Sequence, residues 1–270
     1  MRKVLIPTDF SPASRNAYYY ALELYGNTDS TFDVVHTHHA AFDPSQPTVL
    51  DFTLGIDQVK QENLKNFIEL IPEELKTRLP EDIKIKGEVV IGFAAEQIVD
   101  LSREYDVIIM GMTGSNQLVD KIFGTISLEV ARKSVCPVFL IPEQTKYSVP
   151  ENIVYACDLD GVEPKILEKI VSFASRFNAT VHFIHVSTEQ NGDFDVKESI
   201  KGNNFPVRYS TQTIKAESVS EGINTYAEKH LVNLVIMARK KRSFWDQILH
   251  TSVTKKIAIN SKIPLLVYHE

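Results

Sequence analysis

Two stretches of this chain repeat each other in order. Asp9 and Asp158 lie 149 positions apart, and so do His36 and His185. Further along the spacing shortens: Gly124 and Thr251 are 127 apart, as are Pro137 and Pro264. The halves are colinear, and the second lacks 22 residues in its middle. A duplication of this kind requires each half to bury its own core, and 270 residues suffice for two ordinary domains. The predicted boundaries are 1–142 and 151–270, joined by a short polar linker that reaches Pro150.

Within each half, short apolar runs alternate with helical periodicity. Val4-Leu5-Ile6 reads as a buried strand. Ser11-Pro12 then opens a helix, with Ser11 as N-cap and Pro12 at the first helical position. Ala17, Tyr20, Ala21 and Leu24 share one face of it, and Gly26-Asn27 ends it. Strands are expected at 32–36, within 83–91, at 107–110 and at 137–141. Helices are expected at about 56–71, at 94–105 and from Thr125 to Lys133. In the second half strands are expected at 153–155, 181–186, 234–237 and 264–268, and around Ile214. A helix carries Ile166, Ile170, Phe173, Ala174 and Phe177 inward, and another spans 220–230. The polar segment 187–204 stands where the first half has its long helix. Strands alternating with helices predict parallel sheets covered on both faces.

One spacing carries chemistry. After Val107-Ile108-Ile109-Met110 the chain reads Gly111, two residues, Gly114, nine residues, then Gly124-Thr125-Ile126-Ser127. Backbone without side chains can approach a phosphate to hydrogen-bond distance, and glycine accepts positive φ. Gly124 and Thr125 open a helix whose first N–H groups have no internal partner and favour an anion. The hydroxyls of Thr125 and Ser127 add donors. Asp9, after the first strand, is placed to hydrogen-bond a ribose or to hold Mg through a water. Gly111 or Gly114 alone would only indicate a turn; the full spacing between a strand and a helix points to a ligand. The second half keeps the spacing but reads Ala238, Lys241 and Thr251-Ser252-Val253-Thr254. Side chains there would crowd phosphates, so nucleotide is expected in the first half only. The basic run Arg239-Lys240-Lys241-Arg242 reads as a solvated loop, and Phe244 and Trp245 as core.

The pattern resembles the universal stress protein family in its tandem, two-domain form. ATP-binding members carry Gly, two residues, Gly, nine residues, Gly-Ser/Thr, matched here at Gly111, Gly114, Gly124 and Thr125. The opening Ile6-Pro7-Thr8-Asp9-Phe10-Ser11 is similar to the family's first strand and aspartate, and the resemblance covers nearly the whole chain. It implies an α/β fold of two doubly wound, five-stranded parallel-sheet domains, adenine nucleotide alpha hydrolase-like. These would pair through their last strands as an intramolecular pseudo-dimer. It implies ATP with Mg held by Pro7, Thr8 and Asp9, by backbone near Val35 and Val90, and by Met110, Gly111, Gly114, Gly124, Thr125, Ile126 and Ser127. The family is a stress-response one, and a cytoplasmic regulatory role is the corresponding expectation.

Other constellations carry less. His36, His38 and His39 do not converge, because a strand puts His36 and His38 on one face and His39 on the other. Cys136 reads as a small buried residue, while Cys157, beside Asp158, is expected to be partly exposed. The chain contains no Gly-Lys dipeptide, hence no Walker A loop, and no nucleophile elbow or kinase signature. No catalytic residue is assigned, and at most slow ATP hydrolysis is expected. A net charge of −6 argues against broad nucleic-acid binding. No apolar run approaches the roughly 18 residues of a membrane span, and the opening stretch is too short-cored for a signal peptide. Two cysteines suit a reducing compartment. Two alternative readings stay open: a binding module for a lipid-like or other apolar ligand, and a weak ATPase. A homodimer of whole chains is compatible with the sequence; a protein partner is not named by it.

Overall fold

The structure is a computed structural model. It describes residues 1–38, 49–112, 125–157, 162–189, 195–200, 205–239 and 263–269, with backbone only for 49–57, 125, 199 and 239. Among these the chain forms two compact units, one up to Tyr147 and one from Ser148. The expectations for Gly114, Gly124, His39, Asp158, Lys241, Phe244, Trp245 and Thr251 fall outside the described residues, as does that for the Thr125 side chain.

In the first unit the order is β1 (Arg2–Thr8), α1 (Pro12–Tyr25), β2 (Ser30–His38), α2 (Val49–Glu69), α3 (Glu73–Lys76), β3 (Lys84–Ile91), α4 (Ala94–Leu101), β4 (Val107–Met112), α5 (Thr125–Lys133) and β5 (Val138–Pro142). The sheet order is β3-β2-β1-β4-β5, every pair parallel. The second unit holds β6 (Asn152–Cys157), α6 (Pro164–Arg176), β7 (Thr180–Ser187), α7 (Val196–Ser199), β8 (Arg208–Lys215), α8 (Val219–Lys229), β9 (Leu234–Arg239) and β10 (Leu265–His269). Its order, β10-β9-β6-β7-β8, repeats the first in mirror listing, again with parallel pairs. Each unit is thus a doubly wound α/β sheet, as the alternation predicts.

The cores follow from the runs. Val4, Leu5 and Ile6 are fully buried, as are Val138, Leu140 and Ile141. Ser11 caps α1 by accepting from the Ser14 N–H, and Pro12 follows. Burial on α1 is broader than the expected stripe, because Tyr18 and Leu22 are also sealed off. Tyr18 packs its ring on Phe67 of α2, while Tyr20 meets Tyr147. Gly26 ends the helix in right-handed, not left-handed, geometry. Its need for glycine is spatial: a Cβ would lie 2.4 Å from the Leu22 oxygen and from Leu79.

Several elements differ from the sequence expectation. The helix expected from about Ile56 begins at Val49, and a one-turn helix follows Pro72. The helix expected to reach Tyr105 stops at Leu101. The polar segment of the second half contains the short α7. Phe177 is half-buried beside Phe173 rather than core. Cys157, expected to be partly exposed, is buried at the end of β6.

The end of α2 is tied down from α1. Its last turn leaves carbonyls without helical partners. Arg15 donates to the Phe67 and Leu70 oxygens, the Tyr18 hydroxyl to Ile68, and the Tyr19 hydroxyl to Leu70. The Arg15 guanidinium also lies 3.8 Å from the Phe67 ring centroid. A cation at a helix C-terminus meets the negative end of the dipole. Arg15→Ala should cost about 1.5–3 kcal/mol, the range for hydrogen bonds to charged groups, read as a lower urea midpoint for the N-terminal unit.

Candidate functional site

The β1/β4 boundary is where strand order reverses, and open α/β sheets take ligands at such a point, beyond the carboxyl ends of the strands. A cleft of about 220 Å³ lies there. From β1 and the turn after it come Pro7, Thr8, Asp9 and Ser11; from α1, Ala13 and Ser14; from β4, Met110 and Gly111; from α5, Ile126 and Ser127. The β2 side supplies Val35 and Thr37, and α4 supplies Ala94 and Ile98. Of the residues expected from the sequence, Pro7, Thr8, Asp9, Val35, Met110, Gly111, Ile126 and Ser127 come together in this wall. Val90 does not; it sits on β3, paired with Thr37. Ser11, Ala13, Ser14, Thr37, Ala94 and Ile98 lie outside the sequence expectation. The alternation of β2 signals Thr37 once Val35 is chosen, since both point to one face. The α4 residues carry no comparable signal, because they reach the cleft only through tertiary packing.

The cleft is polar on its α1 side. Thr8 and Ser14 share a hydroxyl contact of 3.0 Å, and the Ser14 hydroxyl donates to the Ser11 carbonyl. The Asp9 carboxylate accepts from the Ser11 N–H at 3.0 Å. Partial burial alone would raise the Asp9 pKa, but hydrogen bonds from the Ser11 side chain and backbone and from Ser14 outweigh it. The net effect holds the carboxyl below its ordinary value, so it is ionised at neutral pH. Among the described residues no Lys or Arg lines the wall. The other side, Val35, Ala94 and Ile98, is apolar, and the Thr37 hydroxyl next to it is buried without a partner.

Gly111 lines the cleft and also has a packing role. It does not leave the strand but lies within β4, paired with Ile141. A Cβ there would fall 2.4 Å from both the carbonyl carbon and the oxygen of Ala13 and 2.7 Å from the Ser14 nitrogen. Its missing side chain lets the start of α1 sit directly on β4. Ala238 occupies the corresponding place in β9. There the connection from β6 to α6 has six residues, against three from β1 to α1.

The histidines have a structural explanation. His36 Nδ1 lies 2.9 Å from the Thr8 carbonyl oxygen, so it is the protonated nitrogen and donates. His185 makes the same bond to the Cys157 carbonyl at 3.1 Å. In each sheet these are register partners. The imidazole thus satisfies the last carbonyl of the first strand. Among the described residues no group of three His, Cys, Asp or Glu is placed to hold a metal. Cys136 is buried, which pushes its thiol up to about 12. No described helix is long and apolar enough to cross a membrane.

Comparisons with known proteins agree with this architecture. The family model described as the universal stress protein family matches residues 1–142 and 197–269. A universal stress protein of Mycobacterium tuberculosis strain H37Rv is 23% identical, covering 99% of this chain and 96% of its own. One from Methanocaldococcus jannaschii is 24% identical over 54% of this chain and 84% of its own. The crystal structure of a universal stress protein from Archaeoglobus fulgidus superposes with a TM-score of 0.72 at 18% identity, covering 99% of this chain and 98% of its own.

Two outcomes follow. Burial lowers the His36 pKa below 6.5, and nearby Lys60 and His38 reinforce this against the Thr8 hydrogen bond and Asp9. The folded state then binds fewer protons than the unfolded one, so this contribution is present above about pH 6.5 and is lost as pH falls through the folded value. Thermal melts from pH 7.5 down to 5.5 should show falling stability, with a shallower slope in His36→Gln. Gly111→Ala should cost about 1–3 kcal/mol by overpacking against fixed backbone, measured by urea denaturation, whereas Ala238→Gly should show no relief of strain.

Proposed function

We propose, from the premise that the chain belongs to the universal stress protein family, that it is a cytoplasmic regulatory protein that binds ATP with Mg in the N-terminal unit only. The observation that carries this reading is the cleft at the β1/β4 switch point, where Asp9, Gly111 and the start of α5 converge. Its chemistry fits the ligand. The wall has hydroxyls and a helix N-terminus for phosphate oxygens, an apolar side for a base, and the ionised carboxylate of Asp9. The divalent ion that a triphosphate brings would balance its charge, and Asp9, the one carboxylate among the described residues of the wall, would hold that ion through a water. Gly114, Gly124 and the Thr125 hydroxyl would complete the phosphate cradle in this reading. The protein's own part is binding: orienting the ribose and screening the phosphates. Among the described residues of the wall no side chain is set as a general base beside a phosphate-activating lysine.

The second unit, with Ala238, Lys241 and Thr251 at the matching positions, serves as the partner domain without nucleotide. The domain limits in this reading are 1–142 and 151–270.

Isothermal titration of the full chain with ATP and Mg should give one site per chain. Saturation at a hundredfold excess over Kd should stabilise the folded unit by about 2.7 kcal/mol. Gly114→Lys should abolish the heat. Two equivalent sites, or no heat with the wild type, would overturn the reading. Native mass spectrometry showing a co-purified apolar compound instead of a nucleotide would favour an apolar-ligand module.

A further inference from the structure

The turn that carries Asp9 is strained. Phe10 has a φ of +66°, a left-handed conformation that costs a side-chain-bearing residue about 1–2 kcal/mol and that bulky residues avoid. Such strain persists only where the surroundings over-determine it. Three contacts do so here. The Phe10 N–H donates to the Thr8 hydroxyl at 3.0 Å. The Phe10 ring stacks on the His36 ring, with centroids 4.3 Å apart and planes 29° from parallel. Its edge meets Phe67 at 5.8 Å. His36 is in turn fixed by its bond to the Thr8 carbonyl. The side chains of Phe10 and His36 thus clamp the backbone around Asp9 from behind. His36 lies on the opposite face of β2 from Val35 and Thr37, outside the cleft wall.

We propose that Phe10 is a positioning residue for the Asp9 carboxylate: its ring, seated on His36, keeps the left-handed turn closed and so sets Asp9 at the cleft mouth. The ligand-binding consequence rests on the nucleotide reading above; the positioning itself does not. The second repeat supplies the contrast. It keeps the histidine-to-carbonyl bond through His185 and Cys157, but Leu159 stands where the first repeat has Phe10. The carbonyl clamp is common to both halves, while the aromatic seat belongs to the half with the intact glycine spacing.

The test uses the full chain with Phe10→Leu, Phe10→Tyr and, as a second way to empty the seat, His36→Asn. Without any nucleotide, exchange of the Ser11 amide proton with solvent is followed by NMR, since the Asp9 carboxylate accepts from that N–H. It should be protected in the wild type and in Phe10→Tyr. In Phe10→Leu and His36→Asn the protection should be lost, because the turn that brings Ser11 onto the carboxylate has opened. ATP with Mg is then titrated in a double-mutant cycle with Asp9→Asn. Phe10→Leu should weaken binding about tenfold in the wild-type background, the factor corresponding to the turn's strain, and by less than twofold where Asp9 is already Asn. Unchanged Ser11 amide protection in both folded seat variants would overturn the proposal. So would an equal loss of affinity in the two backgrounds. If the wild type takes up no ATP, the nucleotide reading falls, and the Ser11 amide protection alone decides whether Phe10 positions the carboxylate.

Discussion

The cleft depends on one close approach, that of β4 to the first turn of α1 at Gly111. Main chain meets main chain there at a separation that leaves no room for a methyl group. The contact lowers the start of α1 onto the switch point, and everything else at the site follows from that placement. The cap Ser11, the buried Ser14 and the strand-end Thr8 are drawn into one hydroxyl network. Asp9 emerges from the three-residue connection above them, facing Met110 and the start of α5. A glycine that would be destabilising in an isolated strand is here the condition for a ligand-sized concavity.

The duplicated halves separate two kinds of device. The histidine that satisfies the last carbonyl of the first strand is kept in both, because a parallel sheet that ends at that point must pair the group whatever the domain does. The close approach is not kept. With Ala238 in β9, and a connection to α6 twice as long as that to α1, the second unit retains the sheet but not the tight first turn. A shared fold with unequal sites is the expected result when packing constrains both copies and ligand contact constrains one.

Much of this was legible in the sequence, for identifiable reasons. Buried parallel strands announce themselves as continuous apolar runs, so β1, β4 and β5 were located to within a few residues. Strand ends are where ligands bind in such sheets, so Asp9 could be named from order, whereas Val35 and Met110 follow from the family resemblance. The early start of α2 was hidden because 49–55 mixes Val, Thr and Gly, residues of poor helix propensity, after a stretch of turn formers. Ala94 and Ile98 were invisible because only the packing of α4 brings them to the cleft. Gly111 was noticed for phosphate approach, while the structure shows the missing side chain facing Ala13. Phe10 gave no signal, since nothing in a phenylalanine indicates positive φ. The burial of Cys157 likewise depends on how far β6 extends beyond its apolar run.

The most direct measurement is a crystal structure of the full chain grown with ATP and magnesium. The account predicts nucleotide density once per chain, in the N-terminal cleft, with the phosphates toward the start of α5 and Asp9 at the ribose or at the metal's water. Nucleotide found only in the C-terminal unit, or an N-terminal cleft closed by protein side chains in the presence of saturating ligand, would contradict it.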